Sequence, residues 1–294
     1  MAYLVFVTLL WAFSFSLIGE YLAGHVDSDF AVLSRVVIAG LIFLPLLRFR
    51  GVPRSLAGGV TLVGVMQFGI TYLCLYRAFG YLTVPEILLF TITTPIYVAL
   101  IDDSLFRRFS PVSLLAAALA VAGAAVIRYE GITETFIIGF LLIQMANFAF
   151  AVGQVGYKHL LRRHPQSGPA YQHFFYFYLG ALLVAGPSFL IFGNHSMMPS
   201  TPMQWGVLGW LGVAASGAGL YFWNQGARLV DAGTLAVMNN ALVPAGLIVN
   251  LVIWNRDADL LRLAIGGAII GFSLWVNARF SRHAVIRAGF SERP

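Results

Sequence analysis

The feature that most constrains this chain is a succession of ten apolar stretches, each long enough to cross a bilayer as a helix, joined by short polar connections. They run from Ala2 to Ala23, Phe30 to Leu47, Gly58 to Phe79, Leu82 to Ile101, Pro111 to Ile127, Thr135 to Tyr157, Ala170 to Phe192, Gln204 to Ala227, Ala232 to Trp254 and Leu260 to Val276. A membrane helix needs about 20 apolar residues, so these runs fit the hydrocarbon thickness. They are too long for barrel strands and show no alternation of polar and apolar residues. Lys and Arg number 18 and Asp and Glu 12 among 294 residues, against roughly 74 charged residues in an ordinary soluble chain of this length. That deficit excludes a disordered tail, a soluble nucleic-acid binder and an ordinary cytosolic enzyme, each of which needs a charged, solvated exterior. The expected fold is all-α and integral to the membrane.

Orientation follows from the cations, because Lys and Arg resist translocation. Ten helices put both termini on one side. That side would receive Arg48, Arg50, Arg54, Arg107, Arg108, Lys158, Arg162, Arg163, Arg228, Arg279, Arg282, Arg287 and Arg293, and the other only Arg128, Arg256 and Arg262. Thirteen against three predicts cytoplasmic N and C termini, and accounts for the net charge of +6 with no nucleic-acid partner. Cys74 is the single cysteine, which rules out an internal disulfide or a cysteine zinc site. The first apolar run lacks a basic start and a small-residue exit, and reads as a retained helix rather than a signal peptide.

The chain also carries an internal repeat. A shift of 149 residues places Tyr72 on Tyr221, Ala78 on Ala227, Pro95 on Pro244 and Arg107 on Arg256 without a gap, close to half the length. The expected organisation is a five-helix unit over residues 1–128 and a second over 129–294 ending in a short basic tail, together forming one structural unit. Five is odd, so the second copy enters from the opposite side. Inverted repeats of this kind let two similar halves pack in two ways around one central site.

Trp11 with Ser14, Arg35, the pair Ala78 and Pro95 with its echo Ala227 and Pro244, and Gly123 with Gly271 resemble the drug/metabolite transporter superfamily, and within it the EamA-type ten-helix branch. The resemblance covers nearly the whole chain. It implies a carrier of amino acids, carboxylates or amines, with a central cavity lined chiefly by the first four helices of each half. Arg77 departs from the usual uncharged neighbour of Ala78, and Met145, Ala146 and Asn147 stand where a tryptophan echoing Trp11 is expected.

Polar side chains are expensive in hydrocarbon and mark a pathway when they share a helical face. Gln144, Asn147, Gln154 and Lys158 form one such stripe, and Tyr221, Asn224, Gln225 and Arg228 another. Gln67 with Thr71, Tyr72 with Tyr76, and Asn239 with Asn240 add to them. The alternative role for these amides is interhelical bonding. The expected substrate-binding set is Trp11, Ser14, Gln67, Tyr72, Tyr76, Arg77, Asn147, Gln154, Tyr221, Asn224, Gln225, Asn239 and Asn240. Trp223 is a weaker aromatic candidate. Arg77 is the cation expected to meet an anionic group, whereas Arg35 is expected to snorkel or to pair with Glu20 or Asp29. Pro95 and Pro244 break backbone bonding in matched positions and are the candidate hinges. Thr83 and Glu86 form a capping box that starts a helix, which gives Glu86 a structural role.

No cofactor, metal or nucleotide motif is expected: the glycines around Gly217 follow no strand, and His159, His164 and His173 lack carboxylate partners at ligand spacing. The reading is a monomeric secondary transporter of the cell inner membrane, surrounded by lipid, moving a small carboxylate-bearing metabolite such as an amino acid or organic-acid vitamin by alternating access. The alternatives are a membrane-embedded enzyme acting on a lipid, and a passive channel.

Overall fold

The structure, a computed structural model, describes residues 1–48, 51–105, 133–165, 168–230 and 232–254, with scattered positions between 115 and 122 and between 261 and 275. The fifth and tenth expected helices lie largely outside the described residues. The described ones form helices and no strand. Among the described residues seven helices are long and apolar enough to cross a bilayer: α1 (Ala2–Leu22), α2 (Ser28–Leu46), α3 (Arg54–Ala78), α4 (Val84–Asp102), α5 (Glu134–Arg163), α6 (Phe175–Phe192) and α7 (Pro202–Arg228). An eighth, α8, spans Ala232–Trp254. The chain is thus a multi-pass membrane protein.

Helix starts follow local chemistry. The Asp27 carboxylate accepts from the Phe30 amide at 2.8 Å to cap α2, and Glu86 accepts from the Thr83 amide at 2.8 Å to open α4, as the capping box requires. Thr201 and Gln204 repeat the device at α7. α5 outruns its expected end at Tyr157 and continues to Arg163, because its last turns leave the hydrocarbon as a charged helix rather than stopping there.

Three irregularities matter for the interior. α3 is wound as a π-helix over Val65–Ile70, and α7 over Leu211–Gly219. α4 breaks between Thr91 and Thr94. Pro95 has no N–H for the Thr91 carbonyl, which accepts from the Thr94 hydroxyl at 2.7 Å instead. The neighbouring Phe90 carbonyl accepts from Asn147 Nδ2 of α5 at 2.9 Å. Pro244, by contrast, sits inside the continuous helix α8.

The helices pack in a paired scheme: α1 on α8 and α5 on α4, α2 on α7 and α6 on α3, α3 on α5 and α7 on α1. Where α3 crosses α6 the backbones touch. A Cβ on Gly64 would collide with the Phe177 carbonyl, and one on Gly180 with that of Thr61. Small residues at a membrane crossing let backbones approach where no hydrophobic drive exists between helices and lipid.

Cations gather at one end and, Asp102 apart, the described acids at the other. The starts of α1, α3 and α6 meet the ends of α2, α5 and α7, as the Ser55 hydroxyl with His164 at 2.9 Å, the Arg48 amide with the Gln172 carbonyl at 3.0 Å and the stacked rings of Tyr3 and Phe222 show. Arg48, Arg54, Lys158, Arg162, Arg163 and Arg228 gather at this basic end. Glu20, Asp27, Asp29, Glu86 and Glu134 lie at the other, with Arg77.

Candidate functional site

A cavity opens in the middle of the bundle, with about 740 Å³ of non-protein space when its open mouth is included. Helical spacing builds its walls. Trp11, Ser14, Phe15 and Ile18 stand at i, i+3, i+4 and i+7 on one face of α1. α3 presents Thr71, Tyr72 and Leu75, α4 presents Thr91 and Thr94 at its break, and α5 presents Ala146, Asn147 and Phe150. Trp223 of α7 and Asn239 of α8 close the set, with Arg35 of α2. Toward the basic end an aromatic cluster fills the bundle: Phe43 lies 5.3 Å from Phe174 and 5.4 Å from both Tyr178 and Tyr221.

Arg35 dominates the electrostatics. It is 1% exposed, donates from Nε to the Ser216 hydroxyl at 2.9 Å and from Nη1 to the Tyr76 hydroxyl at 2.7 Å, and lies over the Tyr72 ring with 4.5 Å to the centroid. Every one of these partners is neutral. No carboxylate among the described residues stands within ion-pair distance of it. A ring face and two hydroxyls return about 2 kcal/mol and a few hydrogen bonds, whereas an uncompensated buried cation costs several kcal/mol. A guanidinium held this way in a cavity wall has the chemistry to pair with an anion.

Around it the cavity offers a different chemistry. Trp11 and Trp223 lie 4.9 Å apart and tilted by 34°, with the Trp11 indole N–H fixed on the Ala215 carbonyl at 3.0 Å. Asn239 Nδ2 and Trp223 Nε1 are buried donors without a protein partner. Asn147 is oriented by its bonds to Phe90 and Thr93. The arrangement suits a solute with an anionic end and a flat, hydrogen-bonding end.

The two arginines exchange the surroundings expected of them. Asp29, a proposed partner for Arg35, takes Arg77 instead at 2.7 Å and also accepts from Ser188 at 2.5 Å. Arg77 is 37% exposed in its side chain, bonds Ser188 at 3.0 Å, covers the Phe192 ring and is absent from the cavity wall. Arg35 does not snorkel, because it sits two turns inside α2, aimed at α3 and α7. No acid stands three or four residues from Arg35, the signal in the sequence that pointed away from a local partner.

Of the other expected residues, Trp11, Ser14, Tyr72, Asn147 and Asn239 line the cavity, and Tyr76 reaches it through Arg35. Gln67, Gln154, Tyr221, Asn224, Gln225 and Asn240 do not form its wall. The wall also holds Arg35, which the sequence offered as a candidate but favoured as a structural cation, the weaker candidate Trp223, and Thr91 and Thr94, which the expected set did not include.

A multi-pass helical bundle around a largely apolar, aromatic-lined cavity with a few polar side chains is compatible with a membrane transporter. The sequence profile described as the EamA-like transporter family matches residues 1–129. A protein of Pseudomonas aeruginosa named probable biotin transporter is 61% identical over 285 residues, covering 97% of this chain and 99% of its own. The biotin transporter of Escherichia coli K12 is 51% identical over 281 residues, covering 95% and 93%. A crystal structure described only as that of a protein aligns over 96% of this chain and 97% of its own, with a TM-score of 0.66 at 18% identity, which shows a shared fold. The chain therefore belongs to the EamA-like transporter family, and is a transporter rather than an enzyme.

Proposed function

We propose that this protein is a secondary transporter of biotin, working as a monomer in the cell inner membrane. The observation that carries the reading is Arg35, buried without a carboxylate partner in the wall of a cavity that also offers amides and paired indoles. Biotin has a carboxylate at the end of an apolar tail and a flat ureido ring with two N–H donors and a carbonyl. The carboxylate goes to Arg35. The ureido carbonyl meets the Asn239 donor, and the fused rings lie against Trp11 and Trp223. The names of the relatives in Pseudomonas aeruginosa and Escherichia coli favour the same substrate.

Movement is by alternating access between two inverted five-helix repeats, 1–128 and 129–294, with both termini cytoplasmic. Three observations support this. The 149-residue shift carries the π segment Val65–Ile70 onto 214–219, inside Leu211–Gly219. Exchanging α1 to α4 with α5 to α8 maps the largest packing pairs onto one another, α1 with α8 onto α5 with α4 among them. The basic end gathers the cations that belong on the cytoplasmic face. In this reading Pro95 and Pro244 act as hinges, and the family profile ends near the join. Purified protein in sealed liposomes should accumulate labelled biotin saturably and show counterflow when preloaded. Flux that rises without saturation would contradict the carrier.

A further inference from the structure

The packed half of the bundle between the central cavity and the basic end contains polar groups that packing does not explain. Both amide atoms of Gln67 and Gln154, the Tyr157 hydroxyl, both ring nitrogens of His173, Asn224 Oδ1 and Gln225 Nε2 are buried and bond no protein atom. Gln67 and His173 are 0% exposed, Tyr157 and Asn224 1% and Gln154 2%. Each such group costs about 1–3 kcal/mol, and hydrocarbon offers no water to relieve it. Apolar residues of the same shape would make a more stable wall.

Several of these groups converge on the end of α7. Gln225 lies beside the Tyr157 hydroxyl, with Arg228 and Tyr221 within electrostatic range of it, and Gln225 Oε1 accepts from Arg228 Nη1 at 3.1 Å. Arg228 also lies within electrostatic range of His173. Gln225 and Arg228 in turn form the wall of a recess at the basic end, with Tyr3, Tyr221 and Phe222. Gln154 stands one turn behind Tyr157 on α5. The line of groups therefore runs from the bundle interior to the surface, and finishes on a cation.

We propose that Gln154, Tyr157, His173, Gln225 and Arg228 form a second subsite for the transported carboxylate-bearing solute, engaged as it passes between the central cavity and the basic end. Arg228 receives the carboxylate and the neutral groups receive the hydrogen-bonding ring. This subsite rests on the transport reading above and extends it to residues outside the central cavity.

The test uses the full-length protein carrying Gln154→Leu, Tyr157→Phe or Gln225→Leu, one at a time. Biotin counterflow should fall about tenfold, equilibrium binding in detergent should stay within about twofold, and the melting temperature should hold or rise. Normal counterflow in all three would overturn the subsite, since relief of unpartnered groups alone changes stability and not transport. A second arm needs no biotin: in a Cys74→Ser background, Gln154→Cys and Gln225→Cys should react with a membrane-impermeant maleimide presented at the basic face, and Leu183→Cys, on the lipid-facing surface, should not. Labelling without any wild-type biotin transport would uphold a polar route and reject the substrate. Absence of labelling at both positions would reject the subsite whatever the solute.

Discussion

The Arg35 guanidinium donates to the Tyr76 hydroxyl at 2.7 Å, a bond that ties a cation on α2 to a side chain of α3 standing behind the cavity wall. Tyr76 is 3% exposed and outside the lining, so it acts on substrate through Arg35. Tyr76→Phe keeps the ring and loses the bond. Biotin affinity should weaken about five- to tenfold, the equivalent of roughly 1 kcal/mol of lost positioning, with maximal transport rate little changed. A titration of binding alongside initial uptake rates checks this split.

Arg77 and Asp29 form their ion pair at 2.7 Å away from the cavity wall. Arg77→Gln should therefore leave biotin binding intact, in contrast to the role the sequence assigned it. The pair's stability term is modest because Arg77 is more than a third exposed, and solvent screens it. A double-mutant cycle with Asp29→Asn should return a coupling of about 1 kcal/mol in thermal unfolding.

The crossing of α3 and α6 leaves no room for a Cβ at Gly64 or Gly180. Gly64→Ala should destabilise the folded protein by about 2 kcal/mol, in the range of overpacked cores, and a larger side chain at Gly180 should prevent folding. Melting curves in detergent, with Gly58→Ala as a control where a Cβ meets nothing, would show the contrast.

His173 sits just before α6 with no exposed surface. Burial first, and then the charge of Arg228, push its pKa down from 6.5 to about 4. The unfolded chain takes up this proton at higher pH than the folded one. Stability is thus full above about pH 6.5 and declines as pH falls toward 4, by about 3 kcal/mol in all from this group. His173→Phe should flatten that part of the pH dependence of the melting temperature. An unchanged slope would show that the group titrates normally.

The membrane class was legible in the apolar runs because their length is dictated by the bilayer, and the spans read from Gly58 to Phe79 and from Gln204 to Ala227 fall within a few residues of α3 and α7. Part of the cavity wall was visible in the sequence: Tyr72 and Asn147 by helical spacing, Asn239 as an amide just before Pro244, and Trp11 through the family resemblance. The arginines were misread because a one-dimensional view counts how near an acid is along the chain. Arg77 and Asp29 are 48 residues apart and meet only through the packing of α2 on α3. Similarly, Gln67 and Gln154 look like cavity residues in periodicity alone, yet the π segment of α3 and the close approach permitted by Gly153 put them in the packed half. The break at Thr91 to Thr94, which bares two hydroxyls to the cavity, was visible only as a proline.

The most direct test is a thermal-stability titration of the purified protein with biotin and with its uncharged methyl ester, repeated on Arg35→Met. A ligand that binds only the folded form raises its stability with concentration. The account predicts a rise for wild type with biotin, little or none with the ester, and none for Arg35→Met, whose unliganded melting temperature is equal or higher because a lone buried charge is gone. Equal stabilisation of Arg35→Met and wild type by biotin would contradict it.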